Sequence, residues 1–427
     1  MHSLTKAFVQ IPRIGRLVVT SRQVKARCSP AELSAVSGHA AVLRRAGYWR
    51  LSAGSTCVRR LHTVYRTMVF ATTCIYLLQE CFYAYQEKSD MEKLSRVMFL
   101  LLCHVTSLAK QLVFLTDADR IDRMVAGLDA TRRALRTRSG FAHRLLNCAA
   151  AHVARLRRGY AGCAAFTCLL WAVFAAQAHA LNLFNFRFVI VLLYTYYVTT
   201  LVGIANTTMD AFIATVLYQC KTQLSILRMN LERLPQSASA LSTASGRRRD
   251  DVFAALFVDC WLQYKRICET AGLVQDIFGG AILVQFGIGG WILCMAAYKI
   301  ISLDFISIEF ASMILFILCI LTELFLYCYY GTELTEESTL LVDAAYSMRW
   351  AGEGRAARRL LLLLLVRVHR PLRLAAGRVV PLSLDTFVKV CLCPPPTFAS
   401  SLGRLLLLPF YYSPFNRTHL LGLFEEG

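Results

Sequence analysis

The sequence is poor in charge: Asp, Glu, Lys and Arg make up 17% of its 427 residues, while 56% are hydrophobic. A soluble globular domain carries about 25% charged residues, so a freely soluble fold and a disordered chain are both excluded. Acid is the scarcer sign, with 27 Asp and Glu against 47 Lys and Arg and a formal net charge of +20. Proline is absent from 31–234 and from 236–370. A P-loop, a GxGxxG turn, HExxH and GxSxG are also lacking, which removes the usual signatures of phosphate, dinucleotide, zinc-protease and serine-hydrolase chemistry; no enzyme activity is expected. The 16 cysteines fall mostly singly within apolar stretches, and Cys391-Leu392-Cys393 has no second half. Neither a disulfide scaffold nor a metal or cofactor site is expected.

What the sequence does have is long apolar stretches, and a bilayer span needs about 20 such residues. Residues 160–181, 188–209 and 277–298 carry no charge, and 67–86, 97–116 and 310–332 carry one each, Glu80, Lys110 and Glu323. These predict six transmembrane helices, straight because none contains Pro. The three charges, and Asp210 at the end of the fourth stretch, lie off-centre, so they are expected to snorkel to an interface rather than form an ion-coupling site. Gly279, Gly280, Gly287, Gly289 and Gly290 in the fifth stretch read as small residues that let helices approach closely. His104 and His179 read as lipid-depth or pocket polar groups with local partners.

Basic residues are distributed unevenly between the stretches. Residues 1–66, 117–159, 218–276 and 331–378 hold 12, 10, 8 and 8 Lys and Arg, while 87–96, 182–187 and 299–309 hold 3, 1 and 1. Cytoplasmic loops carry the excess, so the amino terminus is cytoplasmic. The net charge then reports topology in a lipid bilayer, and no nucleic-acid partner is expected. Residues 1–50 are Arg-rich with Glu32 as the one acid, a composition shared with transit peptides, but the spans themselves are expected to direct insertion. The expected fold is an all-α polytopic membrane protein of six clear transmembrane helices plus a disrupted seventh. The 218–276 gap is expected to extend the fourth helix into the cytoplasm and return to the fifth, with a flexible Ser/Ala/Gly loop near 236–246. Pro-free spans, an inside amino terminus and an Asp119-Arg120 pair placed after the second span argue against a G-protein-coupled receptor.

The stretch 360–366 holds seven apolar residues between Arg359 and Arg367, too few to cross a bilayer but enough for a helix packed against protein below it. After it, 370–387 reads RPLRLAAGRVVPLSLDTF. This resembles the carboxyl-terminal signature of insect odorant receptors. Tyr346 and Trp350, the run Cys328-Tyr329-Tyr330-Gly331, Gly47-Tyr48-Trp49 and Gln79-Glu80 are similar to that family as well. Gustatory receptors share the topology but end in a different motif and are the alternative; a membrane transporter is a more distant one, because inverted repeats and midplane charges are not evident.

The resemblance implies a seven-span subunit of a ligand-gated cation channel in the plasma membrane, assembled as a hetero-tetramer with an odorant receptor co-receptor. It divides the chain into a cytoplasmic segment 1–66, a six-helix ligand-binding region 67–332, a cytoplasmic anchor helix within 333–378, and a pore helix with divergent tail at 379–427. The ligand, a small neutral volatile, would lie among the outer halves of the second, third, fourth and sixth helices. Met98, Leu101, Trp171, Phe174, Tyr194 and Tyr197 are the expected contacts, binding mainly by burial at about 25 cal/mol per Å² of apolar area; taken singly, each reads first as ordinary helix packing or an interfacial anchor, so the expectation rests on the set. Asp385, Phe387, Lys389 and Val390 fall at the start of the pore helix. Asp385 and Lys389 would face the ion path or pair with each other at i, i+4. The sequence leaves the family pattern after Val390: Pro394, Pro395 and Pro396 would break a helix at about 3 kcal/mol or more each, as a mispredicted last exon or a pseudogene-like end would produce.

Overall fold

The computed structural model describes residues 36–51, 55–89, 91–138, 140–178, 186–301, 307–348 and 354–392. The expectations for the amino-terminal 35 residues, for His179 and for the triple proline lie outside the described residues. The described chain is helical apart from one short hairpin. Its helices are α1 Ser37–Arg45, α2 Thr56–Gln86, α3 Met91–Thr116, α4 Ala118–Arg138, α5 Gly140–Ala178, α6 Phe186–Glu232, α7 Leu234–Ser245, α8 Arg249–Ile301, α9 Ile308–Ser347, α10 Arg355–Val368 and α11 Leu384–Leu392. Strands β1 Ala375–Ala376 and β2 Val380–Pro381 form the hairpin.

Each of the six expected spans falls on one helix, in order α2, α3, α5, α6, α8 and α9, with residues 179–181 of the third outside the described residues. Among the described residues, four stretches are long and apolar enough to cross a membrane by length and composition: Val97–Thr116, Val189–Glu232, Arg249–Leu293 and Phe310–Ser347. Helices α6 and α8 have 47 and 53 residues, about 70 and 80 Å at 1.5 Å per residue, so each far exceeds a hydrocarbon layer of about 30 Å. They continue past the membrane and are joined through α7. Where a flexible loop was expected at 236–246, the chain is helical to Ser245. Pro235 starts α7 at the position where a missing N–H costs nothing, Leu234 and Ala238 are buried, and Gly246 ends it at φ 65°. The Ser and Ala content that suggested a loop is compatible with a capped amphipathic helix once Pro and Gly are read as its two ends.

Among the described residues three helices start on serine caps, α11 on Ser383 and two others here: Ser55 Oγ accepts from Val58 N at 3.4 Å and Ser307 Oγ from Phe310 N at 3.0 Å. Ahead of α2, Gly47 turns the chain at φ 79°, and Trp49 inserts edge-on against Phe212 at 5.1 Å, beside Phe114 at 5.7 Å. Phe212 and Phe278 extend this aromatic cluster into α6 and α8. Helices α6 and α9 form the most extensive pair.

The RPLRLAAGRVVPLSLDTF segment makes the hairpin and α11. Ala375 pairs with Pro381 and Ala376 with Val380, with Gly377 and Arg378 both at positive φ in the turn. Gly377 N donates to Gly279 O at 2.8 Å, so the expected close approach in the fifth span is to a hairpin at Gly279; at Gly289 it is to the side chain of Leu324. Gly331 on α9 faces the Leu382 carbonyl so closely that no Cβ fits. Ser383 Oγ then accepts from Thr386 N at 3.2 Å and Thr332 Oγ1 from Leu384 N at 3.1 Å, fixing the first turn of α11. Helix α10 buries Leu361, Leu364 and Val368 and exposes Leu362, Leu363 and Val366.

Candidate functional site: a cavity above a buried ion cluster

A cavity of about 480 Å³ lies between α3, α5, α6 and α9, the helices that carry the second, third, fourth and sixth expected spans. Helix α3 contributes Leu100, Cys103 and His104; α5 contributes Ala164, Thr167 and Cys168; α9 contributes Phe316, Cys319 and Ile320. The i, i+3 and i, i+4 spacings put each set on one helical face. Helix α6 lines it from Leu192 to Thr207, about 22 Å along the helix axis. A Cβ at Gly203 would meet Cys168 Sγ of α5 at 3.4 Å, an ordinary contact.

The walls are apolar, and several of their hydroxyls are already used. Thr167 donates to Cys163 O at 2.9 Å and Thr207 to Gly203 O at 3.0 Å, so both present methyl groups to the space. Thr200 Oγ1 is buried and stands against the Cys168 thiol. His104 Nδ1 lies 3.0 Å from Glu80 Oε2, which gives His104 the local partner expected of it. Sulfur is prominent: Cys163 and Cys319 stand 3.6 Å apart, and the described cysteines are free thiols.

Directly beside the cavity lies an ion cluster. Lys110 on α3 is 0% exposed and is bonded to both Asp210 on α6 and Glu323 on α9. Its Nζ also donates to Asn206 Oδ1 at 3.1 Å, Asn206 Nδ2 donates to Asp210 Oδ2 at 3.3 Å, and Tyr327 OH donates to Asp210. The expectation that these charges snorkel is corrected here. Lys110, Asp210 and Glu323 turn inward and satisfy one another, and Glu80 turns inward to His104. Desolvating a charge costs several kcal/mol, of order repaid only by close partners, and the partners come from helices that a single-span reading considers separately.

Of the expected ligand contacts, Met98 and Leu101 are half-buried on α3, and Tyr194 is half-buried on α6 with its OH donating to Gln79 at 3.5 Å. Tyr197 is 59% exposed. None of these four is among the residues lining the cavity; they occupy the same helices at other rotations. Trp171 and Phe174 lie on α5, and their side chains are outside the described residues. On α11, Phe387 and Val390 are buried, Phe387 against Phe325 at 5.6 Å, whereas Asp385 and Lys389 are exposed. The sequence points to none of the lining residues as a ligand contact: it misses apolar ones such as Leu100, Phe316 and Ile320 and short polar ones such as Thr167, Thr199, Thr200 and Asn206. The available signal was their position among apolar neighbours at helical spacing.

A family model described as 7tm odorant receptor matches residues 90–393. The chain belongs to the odorant receptor family. Its relatives include odorant receptor 22b of Drosophila melanogaster, 26% identical over 161 residues, which are 38% of this chain and 40% of that protein. The odorant receptor coreceptor of Ooceraea biroi is 26% identical over 144 residues, 34% of this chain and 30% of its own. The chain thus matches less than half the length of these curated relatives. The solved olfactory receptor OR5 of Machilis hrabei, in complex with eugenol, superimposes with a TM-score of 0.71 at 14% identity, covering 87% of this chain and 97% of that one. This odorant receptor therefore shares that fold, and it is a multi-pass membrane protein.

Proposed function

We propose that this receptor binds small neutral volatile molecules in the cavity between α3, α5, α6 and α9, and that occupancy opens a cation path with help from an odorant receptor co-receptor. The observation that carries the reading is the cavity itself: about 480 Å³ of space with apolar walls, few polar groups and no charged side chain on its lining. That is the size and character of a site that holds a small molecule mainly by burial. The relationship to receptors named for odorants and to co-receptors supports the same partners, and the related OR5 structure holds eugenol. Of the expected contacts, Met98, Leu101 and Tyr194 are half-buried and Tyr197 exposed on these same helices, outside the lining.

In this reading the chain lies in the plasma membrane with its amino terminus in the cytoplasm, residues 1–66 preceding the ligand-binding region 67–332. Helix α10, within 333–378, is the cytoplasmic anchor; its exposed Leu362, Leu363 and Val366 would meet the other subunits of a hetero-tetramer. Helix α11, within 379–427, begins the pore lining, with exposed Asp385 and Lys389 toward the ion path and buried Phe387 and Val390 holding it to α9.

The test is to narrow the cavity. Leu192→Trp at its outer end, expressed with the co-receptor, is expected to abolish or retune volatile-evoked current at unchanged surface expression. An identical response profile across a volatile panel would remove the cavity as the ligand site.

A further inference from the structure

Resting on that reading of the cavity, a second question is how its occupant is sensed. Asn206 is the residue that belongs to both the cavity wall and the ion cluster. Its side-chain amide has two N–H donors and two acceptor lone pairs. One lone pair takes Lys110 Nζ and one N–H goes to Asp210, which leaves one donor and one acceptor for anything in the cavity. Among the other polar groups of the wall, Thr207 spends its hydroxyl on its own helix, Thr200 stands against the Cys168 thiol, and His104 turns Nδ1 toward Glu80; none of these bonds to Lys110 or Asp210 as Asn206 does.

The cluster is well placed to register a change at Asn206. It holds three of the four cavity walls together, since Lys110, Asp210 and Glu323 come from α3, α6 and α9. It is also unbalanced, with one cation for two carboxylates, so each hydrogen bond that neutral Asn206 and Tyr327 supply to it counts. Below the cavity, α9 carries Glu323, then Tyr327, then Gly331 and Thr332, and these last two touch the start of α11.

We propose that Asn206 is the specificity-determining residue of the cavity: it hydrogen-bonds the hydroxyl or carbonyl group of a neutral aliphatic ligand while holding Lys110 and Asp210. The ligand class is an uncharged molecule with one polar end at Asn206 and an apolar chain running along α6 toward Leu192 and Leu193. A ligand shifts a two-state equilibrium only through contacts that differ between the states, and the Asn206 amide supplies such a contact.

The experiment compares octanol, octanal and octane on the full-length receptor expressed with the co-receptor, read as evoked current, and on the purified receptor, read as ligand-induced thermal stabilisation. Wild type is expected to favour octanol or octanal over octane. Asn206→Ala is expected to reduce that preference about tenfold, the size of one hydrogen bond, read as the ratio of octanol to octane responses within each variant so that any general loss from the loosened cluster cancels; Asn206→Leu carries the same expectation if the alanine variant does not reach the surface. Phe316→Ala, a wall change remote from the cluster's hydrogen bonds, is expected to alter all three responses alike. A preference unmoved in the Asn206 variants but a profile shifted by Phe316→Ala overturns the role of Asn206 and leaves the cavity standing. No shift in any variant removes the cavity and this proposal together, and a wild type indifferent to the polar group overturns the ligand class.

Discussion

Lys110 and Glu323, 213 residues apart in sequence, are hydrogen-bonded to each other in the interior between α3 and α9. Asp210 completes the set from α6. Removing the one cation leaves two carboxylates buried without a counter-charge. Lys110→Met is expected to destabilise the receptor by about 3–5 kcal/mol, seen as loss of surface expression and a lower unfolding temperature in detergent. Combining it with Asp210→Asn and Glu323→Gln should recover much of that loss, because the penalty comes from the unpaired charges.

Gly331 meets the Leu382 carbonyl with no room for a methyl group. Gly331→Ala should therefore cost about 1–3 kcal/mol, the usual range for overpacking, although alanine favours helix more than glycine does. Thermal unfolding of the purified variant is the measurement. A rise in stability from the better helix former would contradict the contact.

His39 on α1 is held neutral. Burial, with Arg157 nearby, lowers its pKa to about 3 from 6.5, and its Nδ1 has no hydrogen bond among the described residues. The unfolded chain binds a proton here more readily than the folded one, so the stability contributed is present above pH 6.5 and is lost as pH falls toward 3. Unfolding temperatures at pH 7 and pH 5 should differ more for wild type than for His39→Gln. Equal shifts would show that His39 is not the proton acceptor.

Thr200 Oγ1 is a buried hydroxyl that stands against the Cys168 thiol in the cavity wall. Replacing it with the near-isosteric valine removes that one contact, and is expected to lower ligand-free stability by about 1 kcal/mol. Thermal unfolding of the purified variant is the measurement, and a rise in stability would show the hydroxyl to be unsatisfied.

The sequence reveals the helices more readily than their rotation. Uncharged runs such as 188–209 and 277–298 announce their spans because a bilayer demands length and apolarity, and both demands can be read locally. The seven-residue run in α10 is likewise legible as too short to cross, and it forms a helix with a buried stripe at Leu361, Leu364 and Val368. Which face of an apolar helix looks inward is a property of its neighbours. Tyr194 and Tyr197 stand out on α6 for their aromatic rings, yet the cavity is lined by Thr195, Tyr196 and Thr199 between and beyond them. Lys110, Asp210 and Glu323 show the same limit: each alone reads as a charge seeking water, and only the packing of three helices makes them a set.

The turn at Leu382 abuts α9 where Gly331 has no side chain, and Leu384 is tied to Thr332 on the next position. A joint this tight has no slack. Sliding or rotating α9 by a fraction of an ångström must carry the first turn of α11 with it, so the two helices behave as one rigid lever rather than as rods linked by a tether.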